Sequence, residues 1–230
     1  GGMSDSAFAV EGGAYRVDSS VLLNDVNLVG SGGELIALCG PNGAGKTTLI
    51  RLLAGDLVPT EGRIRIGEHD TTGTSAHELA RARSVMRQGG RSDIPFTSLA
   101  VVEMGRYPHR SDPDASRARD LDAITSAMER TDTMHLAQRV FGTLSGGEQQ
   151  MLAMARAMIT NPKLMILDEP TAVLTPQETQ ELFDAIRSLV DQGKTVIFIT
   201  HKLVEVKEIS NRVTVMRHGE VTGEAINTAD

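Results

Sequence analysis

The feature that most constrains this chain is the run Gly40-Pro41-Asn42-Gly43-Ala44-Gly45-Lys46-Thr47-Thr48. It fits the pattern G-x-x-x-x-G-K-[ST], and its flanks are the ones that pattern requires. Before it, Leu35 to Cys39 reads as an apolar strand. After it, a helix is expected from about Gly45 to Ala54, stopped by Gly55. Glycines here let the backbone curl so that successive N–H groups and the helix N-terminus face one anion. Asn42, Gly43, Ala44, Gly45 and Thr48 would form that cradle. Lys46 would reach the β- and γ-phosphates of a nucleotide, and the Thr47 hydroxyl would bind Mg²⁺. A glycine-rich turn with an incidental lysine is the competing reading, and the strand–loop–helix context argues against it.

A second constellation is Leu164-Met165-Ile166-Leu167-Asp168-Glu169. Four apolar residues make a buried strand, and two carboxylates emerge at its C-terminal end, where open α/β sheets place their ligands. Asp168 is suited to hold Mg²⁺ through water. Glu169 is suited to orient and deprotonate an attacking water. An isolated strand often ends in solvated acids, but this one accompanies a phosphate loop.

Around these motifs, short apolar strands alternate with helical patterns, which predicts an α/β fold with a largely parallel sheet. Val21 to Leu28 and Gly62 to Ile66 read as strands of an N-terminal β layer. From Gln88 to Thr143 the pattern changes. The polar linker Ser111-Asp112-Pro113-Asp114 and a helical spacing at Leu121, Ile124 and Met128 indicate an inserted helical subdomain. The expected division is therefore 3–87, 88–143 and 144–230. In the last part helices are expected over Glu148 to Ile159 and Gln177 to Asp191, with strands at Leu164 to Leu167 and Thr195 to Thr200. Leu182, Phe183, Ile186, Leu189 and Val190 share one face of the second helix.

Composition narrows the partners. A net charge of -7 argues against nucleic acid, which needs clustered Lys and Arg. The apolar runs are strand-sized, so no direct membrane insertion is expected. No leader pattern opens the chain, and Gly1-Gly2 ahead of Met3 resembles the remnant of a removed tag. The single cysteine, Cys39, forms no internal disulfide, fits a reducing cytoplasm and reads as a buried strand residue. His69, His77, His109, His135 and His218 show no paired metal-ligand spacing.

Leu144-Ser145-Gly146-Gly147-Glu148-Gln149-Gln150 separates this chain from other phosphate-loop enzymes, because it resembles the LSGGQ signature of the ABC ATPase family. The resemblance covers nearly the whole chain and implies an ATP hydrolase with the P-loop NTPase core, an N-terminal antiparallel β layer and an inserted helical subdomain. Gln88 resembles the family's Q-loop glutamine, a link between Mg²⁺ and the helical subdomain. His201 resembles its switch histidine, a γ-phosphate contact. Tyr15 resembles its adenine-stacking aromatic. Small residues at Ser145, Gly146 and Gly147 before a helix also make an anion-binding end. The family implies its use: two copies dimerise head to tail around two ATP molecules. It further implies a transmembrane permease partner docked on the helical subdomain, with the chain peripheral to the cytoplasmic face of the cell membrane.

Two departures stand out. Where the family's loop after Glu169 usually ends in Asp, this chain has Thr175. Thr175, Pro176 and Glu178 instead predict a capping box with proline opening the helix. In addition, 94–97 and 102–109 resemble haem and siderophore-iron importer ATPases, whereas 168–177 and 200–206 resemble those of sugar and nucleoside importers. Natural divergence and a recombinant that binds ATP without a cognate transporter both fit that mixture.

Overall fold

Alternation of apolar residues builds the first layer. A computed structural model describes residues 6–87, 93, 95–110 and 117–227. In it β1 (Ser6–Val17), β2 (Ser20–Ser31), β4 (Glu61–Ile66) and β5 (His69–Asp70) form an antiparallel sheet in the order β2-β1-β4-β5. Leu23, Val26 and Leu28 of β2 turn inward while their neighbours face outward. The expected strands at Val21 to Leu28 and Gly62 to Ile66 are both present, but longer. The strand between them, β1, carries Tyr15, which pairs with Leu23.

The second sheet runs β10-β9-β3-β8-β7-β6. Its members are β3 (Leu35–Cys39), β6 (Arg83–Met86), β7 (Leu164–Asp168), β8 (Thr195–Ile199), β9 (Arg212–Arg217) and β10 (Glu220–Ile226). All pairings are parallel except the closing β9–β10 hairpin. Both faces are covered, which is why these strands read as continuous apolar runs. Ile36, Leu38, Ile166, Ile197 and Ile199 pack toward the first sheet and α1 (Lys46–Leu53). Leu35, Met165, Leu167, Val196 and Phe198 pack on the opposite side, with α5 (Gly146–Met158) and α6 (Pro176–Asp191). Phe183 of α6 meets Phe198 edge to face, with centroids 5.9 Å apart.

The remaining helices are α2 (Ala76–Ala82), α3 (Ser98–Glu103), α4 (Arg117–Arg130) and α7 (Leu203–Ile209). Between β6 and β7 the described residues hold helices and short 3₁₀ turns, with one isolated bridge, Thr97 to Val140. Ile124 and Met128 of α4 are buried as the spacing predicted, whereas Leu121 faces solvent. The helix expected from Glu148 begins earlier, at Gly146, because Ser145 and Glu148 close a capping box. Cys39, expected to be buried, is only half-buried, since β3 ends there and the chain turns out of the sheet. Gln88, Ile94 and the 111–114 linker lie outside the described residues.

Candidate functional site

The sheet order assembles the site. β3 lies beside β8, and β8 beside β7, with Leu38 and Asp168 both paired to Ile199. Three neighbouring parallel strands thus end level, and each delivers one sequence motif at its C-terminal edge.

The loop after β3 is shaped by left-handed glycines. Gly40 has φ 148°, and a β-carbon there would overlap the Met216 carbonyl. Gly45, at φ 98°, is the N-cap of α1 and leaves no room beside Leu23 Cδ2, 2.7 Å from where a β-carbon would stand. No side chain caps α1 and no acid sits in its first turn. Its leading N–H groups therefore remain available to an anion. Lys46 Nζ donates to Gly40 O at 2.6 Å and Pro41 O at 2.9 Å, so the ammonium is held over the loop. The turn of the β9–β10 hairpin braces the loop from outside. Gly219 N donates to Ala44 O (3.0 Å), and Asn24 N donates to Gly219 O (2.9 Å). Tyr15 is half-buried and packs against the core beneath this layer, opposite Leu23, whose side chain abuts Gly45.

At the end of β7, Asp168 is half-buried. Desolvation first, then the neighbouring Glu169 charge, raises its carboxyl above the ordinary value; Lys46 and Arg87 oppose that shift. Lys46, Arg87, Asp168 and Glu169 thus share one electrostatic environment. Arg87 also pairs with Asp56. Glu169 adopts φ 48°, a left-handed conformation rare for a non-glycine residue, and its N–H donates to Ile199 O at 2.9 Å. That turn swings the carboxylate toward His201, whose Nδ1 lies 3.3 Å from Glu169 Oε1. Lys46, Asp168, Glu169 and His201 are therefore brought together.

Ser145, Gly146 and Gly147 are not part of that cluster. Ser145 caps α5, accepting from Glu148 N at 3.1 Å, while Ser145 N donates to Glu148 Oε2 at 2.7 Å. Gly146 faces Val173, and Gly147 lies against the carboxylate of Glu178. The Thr175 capping box predicted from sequence is present: Thr175 N donates to Glu178 Oε2 at 2.7 Å, with Pro176 in the first helical position.

Sequence reasoning missed Glu205. The residue is 7% exposed, and its carboxylate accepts from Thr171 Oγ1 (2.8 and 2.9 Å) and Thr200 Oγ1 (2.8 Å), with Lys202 Nζ at 2.9 Å. It ties the segment after Glu169 to the segment before His201. No simple pattern marked it. In α7 the apolar Leu203 and Val204 point to solvent while Glu205 points inward, inverting the usual amphipathic order.

The donor set fits a hard cation held largely by substrate. Among the described residues no group of three His, Cys, Asp or Glu side chains converges. Thr47 and Asp168, the ligands expected from the sequence, would supply one hydroxyl and one carboxylate, few enough that phosphate oxygens and water would complete an octahedral shell. A groove of about 980 Å³ lies elsewhere, between β6, the turn at Met104–His109 and α5.

A family model described as ABC transporter matches residues 23–172. The hemin import ATP-binding protein HmuV of Methylobacillus flagellatus is 35% identical over 213 residues, spanning 90% of this chain and 78% of the relative. Its namesake from Escherichia coli O157:H7 is 37% identical over 214 residues, with coverage of 90% and 81%. A dimeric post-hydrolysis ATP-binding cassette bound to ADP and Pi superimposes with a TM-score of 0.82. That structure is 25% identical and covers 96% of this chain and 99% of its own. Among the described residues, no helix is long and apolar enough to cross a membrane.

Proposed function

The chain belongs to the ABC transporter family of ATP-binding ATPases, and from that premise we propose that two copies close around two ATP molecules to drive a separate transmembrane permease. The observation that carries this reading is the convergence of Lys46, Asp168, Glu169 and His201 on the ends of three adjacent strands.

The residue roles in this reading combine the geometry of the site with the family resemblance. The N–H groups of Asn42 to Thr48 and the Lys46 ammonium bind the phosphates, and Tyr15 stacks on the adenine. Thr47 and Asp168 would hold Mg²⁺, with Gln88 as a further ligand by family resemblance, and an ion held there would supply neutralisation of charge on the β- and γ-phosphates. Glu169 takes the proton of the attacking water, and His201, within hydrogen-bond range of that carboxylate, steadies it beside the γ-phosphate. Ser145, Gly146 and Gly147, whose described contacts are to Glu148, Val173 and Glu178, receive the γ-phosphate bound by the other copy, as the family resemblance implies. Exposed Val173, Leu203 and Val204, close in sequence to Glu169 and His201, supply apolar surface that a second copy would cover.

The groove fits a permease segment. Met104 and Tyr107 offer apolar surface, and Arg83 and Arg156 line the same space beside the Arg87–Asp56 pair, so an amphipathic helix bearing acids complements it. Val101, Met104, Gly105, Tyr107, Pro108 and Phe141, which line one wall, belong to the stretch that this reading takes as the helical subdomain. The hemin-import relatives, aligned over about 90% of the chain, favour an importer of haem or a related iron chelate on the cytoplasmic face. They span the sugar-importer-like stretches too, so nothing in the alignments favours a recombinant origin.

The test is the solution mass of Glu169→Gln by light scattering, with and without ATP and Mg²⁺. A dimer that forms only with ATP is expected. A variant that binds ATP yet stays monomeric at high concentration would overturn the sandwich.

A further inference from the structure

Helices α5 and α6 begin side by side, each closed by its own capping box. The two boxes differ in where they put their spare charge. Glu178 Oε2 is occupied by Thr175 N–H, whereas Oε1 accepts no hydrogen bond among the described residues. Instead the carboxylate is pressed against Gly147. A β-carbon built there would stand 2.6 Å from Oε2 and closer still to Oε1. The leading N–H groups of α5 have no intrahelical acceptor. An unneutralised carboxylate therefore stands directly beside the positive end of α5.

We propose that Glu178 is an electrostatic brake on closure, setting how much ATP the sandwich requires. The inference rests on the reading that α5 receives the γ-phosphate of a second copy. On arrival that phosphate meets the helix dipole, which attracts it, and the Glu178 carboxylate, which repels it. The net attraction is weaker than the signature backbone alone would give. After hydrolysis the same carboxylate continues to occupy the field at the helix end and favours separation. Glycine at 147 is needed twice over, for the approach of phosphate and for the seat of Glu178.

The experiment measures the ATP concentration for half-maximal dimer, by light scattering in the Glu169→Gln background with Mg²⁺. Glu178→Gln removes the charge but retains a side chain that closes the capping box. It should lower the midpoint about fivefold, the scale expected for charges separated by several ångströms at a protein surface. Glu178→Ala loses both charge and cap. Its midpoint should also fall, although its melting temperature drops. ATP affinity of the dilute monomer should be unchanged in both. A midpoint that stays or rises in Glu178→Gln overturns the brake, as does a rise confined to Glu178→Ala, which marks a purely structural role. Absence of any ATP-dependent dimer in Glu169→Gln alone overturns the sandwich reading, and the brake with it.

Discussion

Replacing Glu205 by alanine probes the link between the two sides of the hydrolytic pair. The side chain satisfies Thr171 Oγ1 and Thr200 Oγ1, on residues 2% and 4% exposed, and pairs with the Lys202 ammonium. Alanine would leave two buried hydroxyls short of an acceptor, each costing about 1–3 kcal/mol. Against that, the desolvation of a buried carboxylate is relieved. Lys202 can still reach Thr171 O and Oγ1, at 3.4 and 3.3 Å, and Thr200 Oγ1 still accepts from Lys202 N at 3.1 Å. The expected net loss is about 3 kcal/mol, or roughly 6–12 °C in Tm for a domain of this size. Glu205→Gln, which keeps one acceptor, should lose about half as much. Denaturant titration of both variants, with a Thr171→Val partner for a double-mutant cycle, measures the network directly. The ATPase rate of folded Glu205→Ala should fall about tenfold or more, because Glu169 and His201 lose their common tether. Loss of less than 0.5 kcal/mol, or strict additivity of the Thr171 and Glu205 changes, would refute the reasoning, the threshold being set by ordinary surface substitutions.

Other consequences follow from single contacts. Lys46→Ala should weaken ATP binding by more than about tenfold in a fluorescent-nucleotide titration, with Tm nearly unchanged, because its partners are loop carbonyls. Asp168 carries a raised pKa, so without nucleotide its stabilising contribution is greatest below the ordinary carboxylate pKa and is lost as pH rises through the folded value. Asp168→Asn should therefore melt slightly higher than the parent at pH 7, by roughly 2 °C because the site is half open to solvent, and the advantage should vanish below about pH 4. A pH-independent advantage would contradict this. Gly105→Ala would drive a β-carbon into the Arg156 carbonyl and to 2.8 Å from Ile159 Cγ1, costing about 1–3 kcal/mol by thermal melt.

How legible was all this in the sequence? The phosphate loop, the acids after β7 and the Thr175 cap were readable because each depends on residues close in the chain. Backbone sterics, helix capping and strand burial act locally and leave local patterns. What stayed hidden depends on distant partners. Arg83-Ser84-Val85-Met86 has no alternating apolar run, and it becomes β6 because β7 supplies its hydrogen bonds. The chain of β1 contains Gly12 and Gly13 and reads as interrupted, yet it is held between β2 and β4 across four register shifts on the β2 side and one on the β4 side. Glu205 is the sharpest case. It lies inside a helix only because Thr171 and Thr200 converge on it, and Leu203 and Val204 turn outward in consequence.

The position of β3 has a consequence for biosynthesis. Its two sheet neighbours are β8 and β9, and its loop is braced by the turn at Gly219. All of these are translated in the last part of the chain. On the ribosome the phosphate loop is therefore complete in sequence long before it is complete in shape. Nucleotide cannot serve as an early folding template, and the nascent β3 must wait with both hydrogen-bonding edges unpaired. A ribosome stalled before residue 195 should carry a chain that ignores ATP, and one released after residue 219 should acquire binding abruptly.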